Sequence, residues 1–445
     1  MPDLTSNTAG IISPNPFWLA SAPPTNSGRQ IMRAFEAGWG GAVWKTLGQP
    51  IQNVSSRFGG IHWRGERAAG FNNVELITDR SLDANFKEMA EVKRLFPHHA
   101  VISSLMVETK EEWKEVIQRS IDAGADGIEL NFGCPHGMCE RGMGSAVGQE
   151  PKVNQEITSW VKDYSSIPVL VKLTPNVGDI VPHGLAAQTG GADGVSLINT
   201  IKSIIGVDLE KMAPQPVVGN KGSNGGYCGA SVRPIALHMV AALARDPGFN
   251  IPISGIGGVT NWRDAVEFIA LGSSSVQVCT EVMLRGYRIV EDMIEGLTRF
   301  MTEQGYQTID EMVGKAVPAY SEWGDLNINF ESVAKIDADK CIGCNRCMVA
   351  CHDGAHQCIH PAPNGGITPV VDESECVGCN LCEIVCPVPD CITMTQVDNG
   401  HPERSWNEHV ATGAEIRPKK GSHGYDMPGT QELMKQKPRP VQTSL

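Results

Sequence analysis

The sequence lacks an apolar run approaching the roughly 18 residues that a membrane span needs. Its opening, MPDLTSNTAG, has neither the basic start nor the apolar stretch of a secretory signal. Positive charge is scarce: 37 Lys and Arg face 50 Asp and Glu, a net −13 that argues against nucleic acid or an anionic membrane as partner. No GxGxxG follows the first strand candidate, which weakens the case for a dinucleotide-binding doubly wound sheet. Cysteine is nearly missing from the first 340 residues, which hold four. These absences read as a cytoplasmic, reducing location and a core large enough to need no disulfide staples. Against that background, ten of the 14 cysteines lie between Cys341 and Cys391. In a reducing compartment such a concentration points to metal or redox chemistry.

Residues 1 to about 325 alternate short apolar runs with amphipathic stretches. Strands are expected at Phe17–Ser21, Gly41–Thr46, Ala100–Met106, Gly127–Asn131, Pro168–Leu173, Gly194–Asn199, Ile251–Ile256 and Ser275–Thr280. Helical patterns lie between them, among them Glu111–Gly124, Asp179–Gly190, Arg233–Arg245 and Trp262–Gly272. Eight strands interleaved with helices over some 300 residues predict an α/β fold, a (β/α)8 TIM barrel. The connection from Leu47 to Arg80 is too long for a plain loop and falls on the face where barrel enzymes build active sites. The predicted organisation is a barrel over 1–328, a small ferredoxin-type α+β domain over 329–395, and a polar tail over 396–445. The second segment is acidic, with 9 Asp and Glu against 3 Lys and Arg in residues 331–395. The tail, punctuated by Pro and Gly, has little to bury and is expected to be an arm lying on a partner or partly disordered.

The cysteines fall into two like runs. Cys341, Cys344, Cys347 and Cys351 follow the spacing C-x2-C-x2-C-x3-C; Cys376, Cys379, Cys382 and Cys386 repeat it, and Pro387 follows. Three thiolates two residues apart can meet the corners of one cubane, while the fourth ligates the other cluster in two-cluster ferredoxins. That assigns Cys341, Cys344, Cys347 and Cys386 to one [4Fe–4S] cluster, and Cys376, Cys379, Cys382 and Cys351 to a second. CxxC pairs also make tetrahedral zinc sites, but two identical four-cysteine runs favour iron–sulfur. His352 stands where a proline follows Cys386, and Cys358 and Cys391 fall outside the pattern as packed thiols. The motif predicts one-electron transfer.

A cluster module needs an electron partner, and the barrel carries flavin-type features. Lys45 and Lys172 sit at or near strand ends, where a cation can stabilise the anionic N1–C2=O edge of a reduced flavin. Ser254-Gly255-Ile256-Gly257-Gly258 and Cys279-Thr280, after strands seven and eight, match the usual barrel phosphate site. Together they predict FMN.

The segment Asn131-Phe-Gly-Cys-Pro-His-Gly-Met-Cys-Glu-Arg-Gly-Met-Gly144 follows strand four. With Ala34-Phe-Glu-Ala-Gly-Trp-Gly, Lys172-Leu-Thr-Pro-Asn and Asn199-Thr200, it closely resembles the dihydropyrimidine dehydrogenases, within the flavin barrels of the dihydroorotate dehydrogenase superfamily. The resemblance extends to about residue 395, and the compact plan of barrel then clusters is similar to the bacterial catalytic subunits. It implies Cys134 as the general acid, giving a proton to C5 of uracil or thymine while FMN hydroquinone gives a hydride to C6. An ordinary thiol, with a pKa of about 8.5, is mostly protonated near neutral pH, as such a donor must be. Cys139 is the rival acid. The resemblance further implies Asn73, Asn131, Asn199 and Thr200 as substrate ligands, with Glu75 and Ile77 nearby and His136 on the cysteine loop. Carboxamides suit a pyrimidine-2,4-dione because they answer both its N–H and C=O groups. FMN would be met by Ser21, Lys45, Thr46, Lys172, Gly229, Ile256, Gly257, Gly258, Cys279 and Thr280. Gly133 departs from the family's usual serine, so a hydroxyl contact is missing. An FAD- and NADH-binding partner subunit in a hetero-oligomer is implied, because no nicotinamide fingerprint accompanies the barrel. A dihydroorotate dehydrogenase, or an electron carrier with a non-catalytic barrel, are the alternative activities.

Overall fold

A computed structural model describes residues 2–63, 66–134, 142–354 and 356–413, the side chains of 63 and 66–68 excepted. The chain separates into two compact units, one running to Tyr320 and the other beginning at Ser321.

The first unit is a closed barrel of eight parallel strands. They are β1 Phe17–Leu19, β2 Gly41–Val43, β3 Ala100–Leu105, β4 Gly127–Asn131, β5 Val169–Lys172, β6 Gly194–Leu197, β7 Ile253–Ile256 and β8 Ser273–Val278. Each pairs with the next, and β8 returns to β1 with Val276 opposite Phe17. All eight lie within a few residues of the expected runs. Such strands are covered on both faces, so they read as continuous apolar stretches; β3 is buried at every position. The longer helices are α1 Gly28–Ala37, α2 Leu82–Leu95, α3 Lys110–Asp122, α4 Pro151–Tyr164, α5 Val181–Thr189, α6 Arg233–Arg245, α7 Trp262–Ala270 and α8 Ile289–Gln304. Their starts are encoded locally. Ser27 accepts from the Gln30 N–H, Thr109 and Glu112 form a reciprocal capping box, and Asn261 accepts from the N–H groups of Arg263 and Asp264.

Two long excursions from the barrel meet each other. The Leu47–Arg80 connection folds into antiparallel strands Phe58–Trp63 and Glu66–Asn73. The chain after β6 adds Ile201–Ser203 and Gly225–Cys228, completing a four-stranded antiparallel sheet with Asn73 opposite Gly226.

In the second unit, Ser332–Ile336 pairs antiparallel with Ile392–Gln396, and Ile359–His360 with Val370–Val371. Helices Arg346–Gly354 and Leu381–Val385 follow the cysteine loops. Each loop curls through two left-handed residues, Gly343 and Asn345 in one, Gly378 and Asn380 in the other. Glycine has no Cβ to clash there and asparagine tolerates the conformation, which is why the two runs share C-x-G-C-N. The part of the polar tail among the described residues, 396–413, carries structure of its own. Its Arg404 carbonyl accepts from the Ile328 N–H at 2.8 Å, and Trp406–Thr412 is a helix capped by a Ser405–Glu408 box. Trp406 meets Trp323 at 6.0 Å between ring centroids, apolar area that the tail's polar composition hides. Among the described residues no helix is long and apolar enough to cross a membrane.

Candidate active site

The open end of the barrel holds a cavity of about 350 Å³. Ser21, Lys45, Thr46, Lys172, Gly229, Ile256, Gly257, Gly258, Cys279 and Thr280 all line it, as do Asn73, Glu75, Asn131, Cys134, Asn199 and Thr200. The fold brings these together because they stand at strand ends or on the antiparallel sheet above them. His136 lies outside the described residues.

Charge in this cavity is matched. The buried Lys45 ammonium lies 2.8 Å from Glu75 Oε1, which Arg57 also meets at 3.0 Å. Lys172 Nζ lies 3.6 Å from Glu129 Oε1 on the neighbouring strand. Glu129 is fully buried, and its other oxygen accepts from Ser196 Oγ at 2.7 Å and Gln277 Nε2 at 3.1 Å. A buried carboxylate needs such partners to offset its lost hydration. Glu129 and Gln277 escape the sequence reading; their signal is one acidic and one amide side chain inside otherwise apolar or small-residue strands. Gln277 lines the cavity, and its Oε1 is buried with no hydrogen-bond partner among the described residues.

A polar relay links residues at the ends of five strands. Asn199 Nδ2 donates to Asn131 Oδ1 at 2.9 Å, and Asn131 Nδ2 donates to Thr46 Oγ1 at 2.9 Å. Thr46 Oγ1 lies 3.0 Å from both Ser21 Oγ and Ser104 Oγ. Asn73 Nδ2 donates across the sheet to the Gly226 carbonyl at 3.2 Å. Cys134 follows β4 and is 8% exposed; its carbonyl accepts from the Ser145 N–H at 3.0 Å. Burial pushes the Cys279 thiol up to about 12 and the Cys228 thiol to about 11, so both stay neutral near pH 7.

The loop after β7 requires glycine. Gly258 has φ +75°, and a Cβ there would stand 2.8 Å from the Arg233 main-chain nitrogen at the start of α6. The backbone therefore approaches a helix start closely, the arrangement that accepts a phosphate.

In the second unit, two small cavities sort the cysteines. Cys376, Cys379, Cys382 and Cys351 line one; Cys341, Cys344, Cys347 and Cys386 line the other. In each, the fourth cysteine comes from the other run, the donor set a pair of cubane clusters calls for. Cys358 joins the first cavity and Cys391 the second, a proximity their spacing does not announce.

This barrel mouth brings together two lysines, each facing a carboxylate, and a glycine loop closed on a helix start. A dihydroorotate dehydrogenase family model matches residues 4–301, and a 4Fe-4S dicluster domain model matches residues 334–394. The chain belongs to the dihydroorotate dehydrogenase family, among its dihydropyrimidine dehydrogenase-type flavin and iron–sulfur members. It is 42% identical over 357 residues to the NAD-dependent dihydropyrimidine dehydrogenase subunit PreA of Escherichia coli K12, covering 80% of this chain and 87% of that one. To the chloroplastic dihydropyrimidine dehydrogenase (NADP(+)) of Arabidopsis thaliana it is 38% identical, covering 73% and 79%. To the dihydroorotate dehydrogenase B (NAD(+)) catalytic subunit of Pyrococcus abyssi it is also 38% identical, covering 71% and 99%. The family implies FMN and the dicluster domain implies iron–sulfur clusters. The residues present fit both: the orphaned Gln277 oxygen and the Gly258 cradle face the first, and two sets of four thiols suit the second.

Proposed function

We infer that the chain is the flavin- and cluster-bearing catalytic subunit of an NAD(P)-dependent dihydropyrimidine dehydrogenase, reducing the 5,6 double bond of uracil and thymine. The observation that carries this reading is Cys134 at a cavity shared with Asn73, Asn131, Asn199 and Thr200. FMN, when bound, supplies the hydride to C6 from its N5. Lys45 and Lys172 hold positive charge at the cavity, and the Gly257–Gly258 loop with Gly229 and Thr280 takes the phosphate. The three carboxamides and the Thr200 hydroxyl hold the pyrimidine through its alternating N–H and C=O groups. Cys134 gives its proton to C5 and is reprotonated from solvent, so one hydride and one proton together saturate the bond. An FAD- and NADH-binding partner subunit supplies the electrons through the two clusters, in a hetero-oligomer of the reducing cytoplasm.

The charge pairing favours a neutral substrate over dihydroorotate. Of the cavity-lining residues described, Lys45, Lys172 and Arg285 are the cations, and each faces a carboxylate, Glu75, Glu129 or Glu281. A carboxylate substrate would have to compete for them. Purified chain loaded with FMN and clusters should reduce uracil and thymine with an artificial electron donor, and should oxidise NADH only when the partner is added. Turnover of dihydroorotate without turnover of uracil would transfer the chain to the other activity.

A further inference from the structure

Each cluster cavity in the second unit is lined by five thiols where four suffice. The two extra cysteines are not equivalent. Cys391 sits beside the strand pair and turns its thiol toward the Asp337 carbonyl, at 3.7 Å; the Asp337 N–H in turn donates to the Cys391 carbonyl at 2.8 Å. Its proton is shared between that main-chain acceptor and the neighbouring ligand Cys386. Cys358, 4% exposed, gives its cluster ligand two contacts: its Sγ is 3.6 Å from Cys351 Sγ, and its main-chain N–H donates to the same sulfur at 3.3 Å.

In a pair of free thiols either sulfur could donate. A cysteine bound to an iron–sulfur cluster is a thiolate and has no proton to give. Once Cys351 is a ligand, the S–H must therefore belong to Cys358, and Cys351 receives two hydrogen bonds from one residue. The neighbourhood holds Cys358 in place. The Gln357 N–H donates to the Cys351 carbonyl at 3.0 Å, the His352 Nε2–H donates to the Ile359 carbonyl at 2.9 Å, and the Asp372 N–H donates to the Cys358 carbonyl at 2.7 Å. His352 thus ties Cys358 to Cys351 at the position where the second run carries Pro387.

We propose that Cys358 is a positioning residue that sets the two clusters apart in potential, its thiol donating to the Cys351 thiolate. Hydrogen bonds to a cluster's sulfurs stabilise the reduced, more negative state and raise its potential. The cluster held by Cys376, Cys379, Cys382 and Cys351 is therefore easier to reduce than it would be without Cys358. At the other cluster the Asp337 carbonyl competes with the ligand Cys386 for the Cys391 proton, so the donation there is weaker. This rests on the chain carrying both clusters.

The test is an EPR-monitored redox titration of the full chain, purified anaerobically, comparing wild type with Cys358→Ala, Cys358→Ser and Cys391→Ala, each with an iron count. Cys358→Ala should keep about eight irons. At a fixed potential, it should lower the reduced fraction of one cluster several-fold and leave the other unmoved. A tenfold change corresponds to about 59 mV for a one-electron couple. Cys358→Ser, which keeps a donor, should recover part of the shift, and Cys391→Ala should shift less than Cys358→Ala. Unchanged midpoints in Cys358→Ala, loss of one cluster's iron from it, or an equal shift in Cys391→Ala would each overturn the proposal. A wild-type chain without eight irons would instead overturn the cluster reading beneath it.

Discussion

Substituting Gly133 tests the packing on which the proposed pyrimidine site depends. A Cβ built at this position stands 2.3 Å from Asn199 Cβ, 2.4 Å from its Nδ2 and 2.7 Å from its Cγ. None of these atoms can yield cheaply. The Asn199 Cβ moves only with its backbone, and Nδ2 is held by Asn131 Oδ1 at 2.9 Å. Gly133 is not among the residues with positive φ, so backbone strain plays no part and the effect is steric. Overpacking of this kind costs about 1–3 kcal/mol, and losing the Asn199–Asn131 bond adds about 0.5–1.5 kcal/mol. Gly133→Ala should therefore cost roughly 2–4 kcal/mol, divided between folding and substrate binding. Thermal melting should show a fall of several degrees, and steady-state assays a raised KM for uracil. Asn199→Gly deletes all three clashing atoms. In that background Gly133→Ala should add almost nothing to the change in melting temperature. Wild-type melting and KM in Gly133→Ala, or the same loss with and without Asn199→Gly, would refute the reasoning.

Three further outcomes are expected. Cys134→Ala should retain FMN and cluster absorbance but lose about 10²–10⁴-fold in uracil turnover, the usual contribution of a positioned acid; unchanged turnover would remove Cys134 from the mechanism. Glu129→Gln removes one charge of a buried pair and should destabilise the barrel by about 3–5 kcal/mol in urea unfolding, with weakened flavin retention; wild-type stability would show that Lys172 needs no counter-charge. Burial holds the imidazoles of His99 and His183 below their ordinary value of 6.5, so the unfolded chain binds more protons than the folded one just below that pH. Their contribution is full above about pH 6.5 and is lost as the pH falls from there. Melting temperature should drop between about pH 7 and pH 5.5, less steeply in His99→Gln/His183→Gln, and an equally steep drop in that variant would count against the assignment.

The barrel was legible because its signals are local. A parallel strand buried on both faces appears as an apolar run wherever it lies, and side-chain caps such as Ser27, Thr109 and Asn261 mark helix starts within a few residues. The cysteine runs are local too, since each C-x-G-C-N loop carries its own left-handed residues. The helix Trp406–Thr412 was missed although Ser405 and Glu408 spell a capping box, because Pro and Gly around it suggested a chain with nothing to bury.

What the amino-acid sequence determined by itself was the set of groups and the scaffold: eight strands, two cysteine runs, and the thiol and carboxamides at predicted strand ends. Only the tertiary structure decided their pairings. Lys172 meets Glu129 across adjacent strands, and Asn73 reaches the cavity through a sheet built from two distant excursions. Asn199 fills the space Gly133 leaves, and Cys358 turns back onto Cys351. Such contacts join residues that the fold, not the local chain, brings together. Hydrophobic period and turn chemistry report how each segment lies, but not which buried charge or thiol it will face.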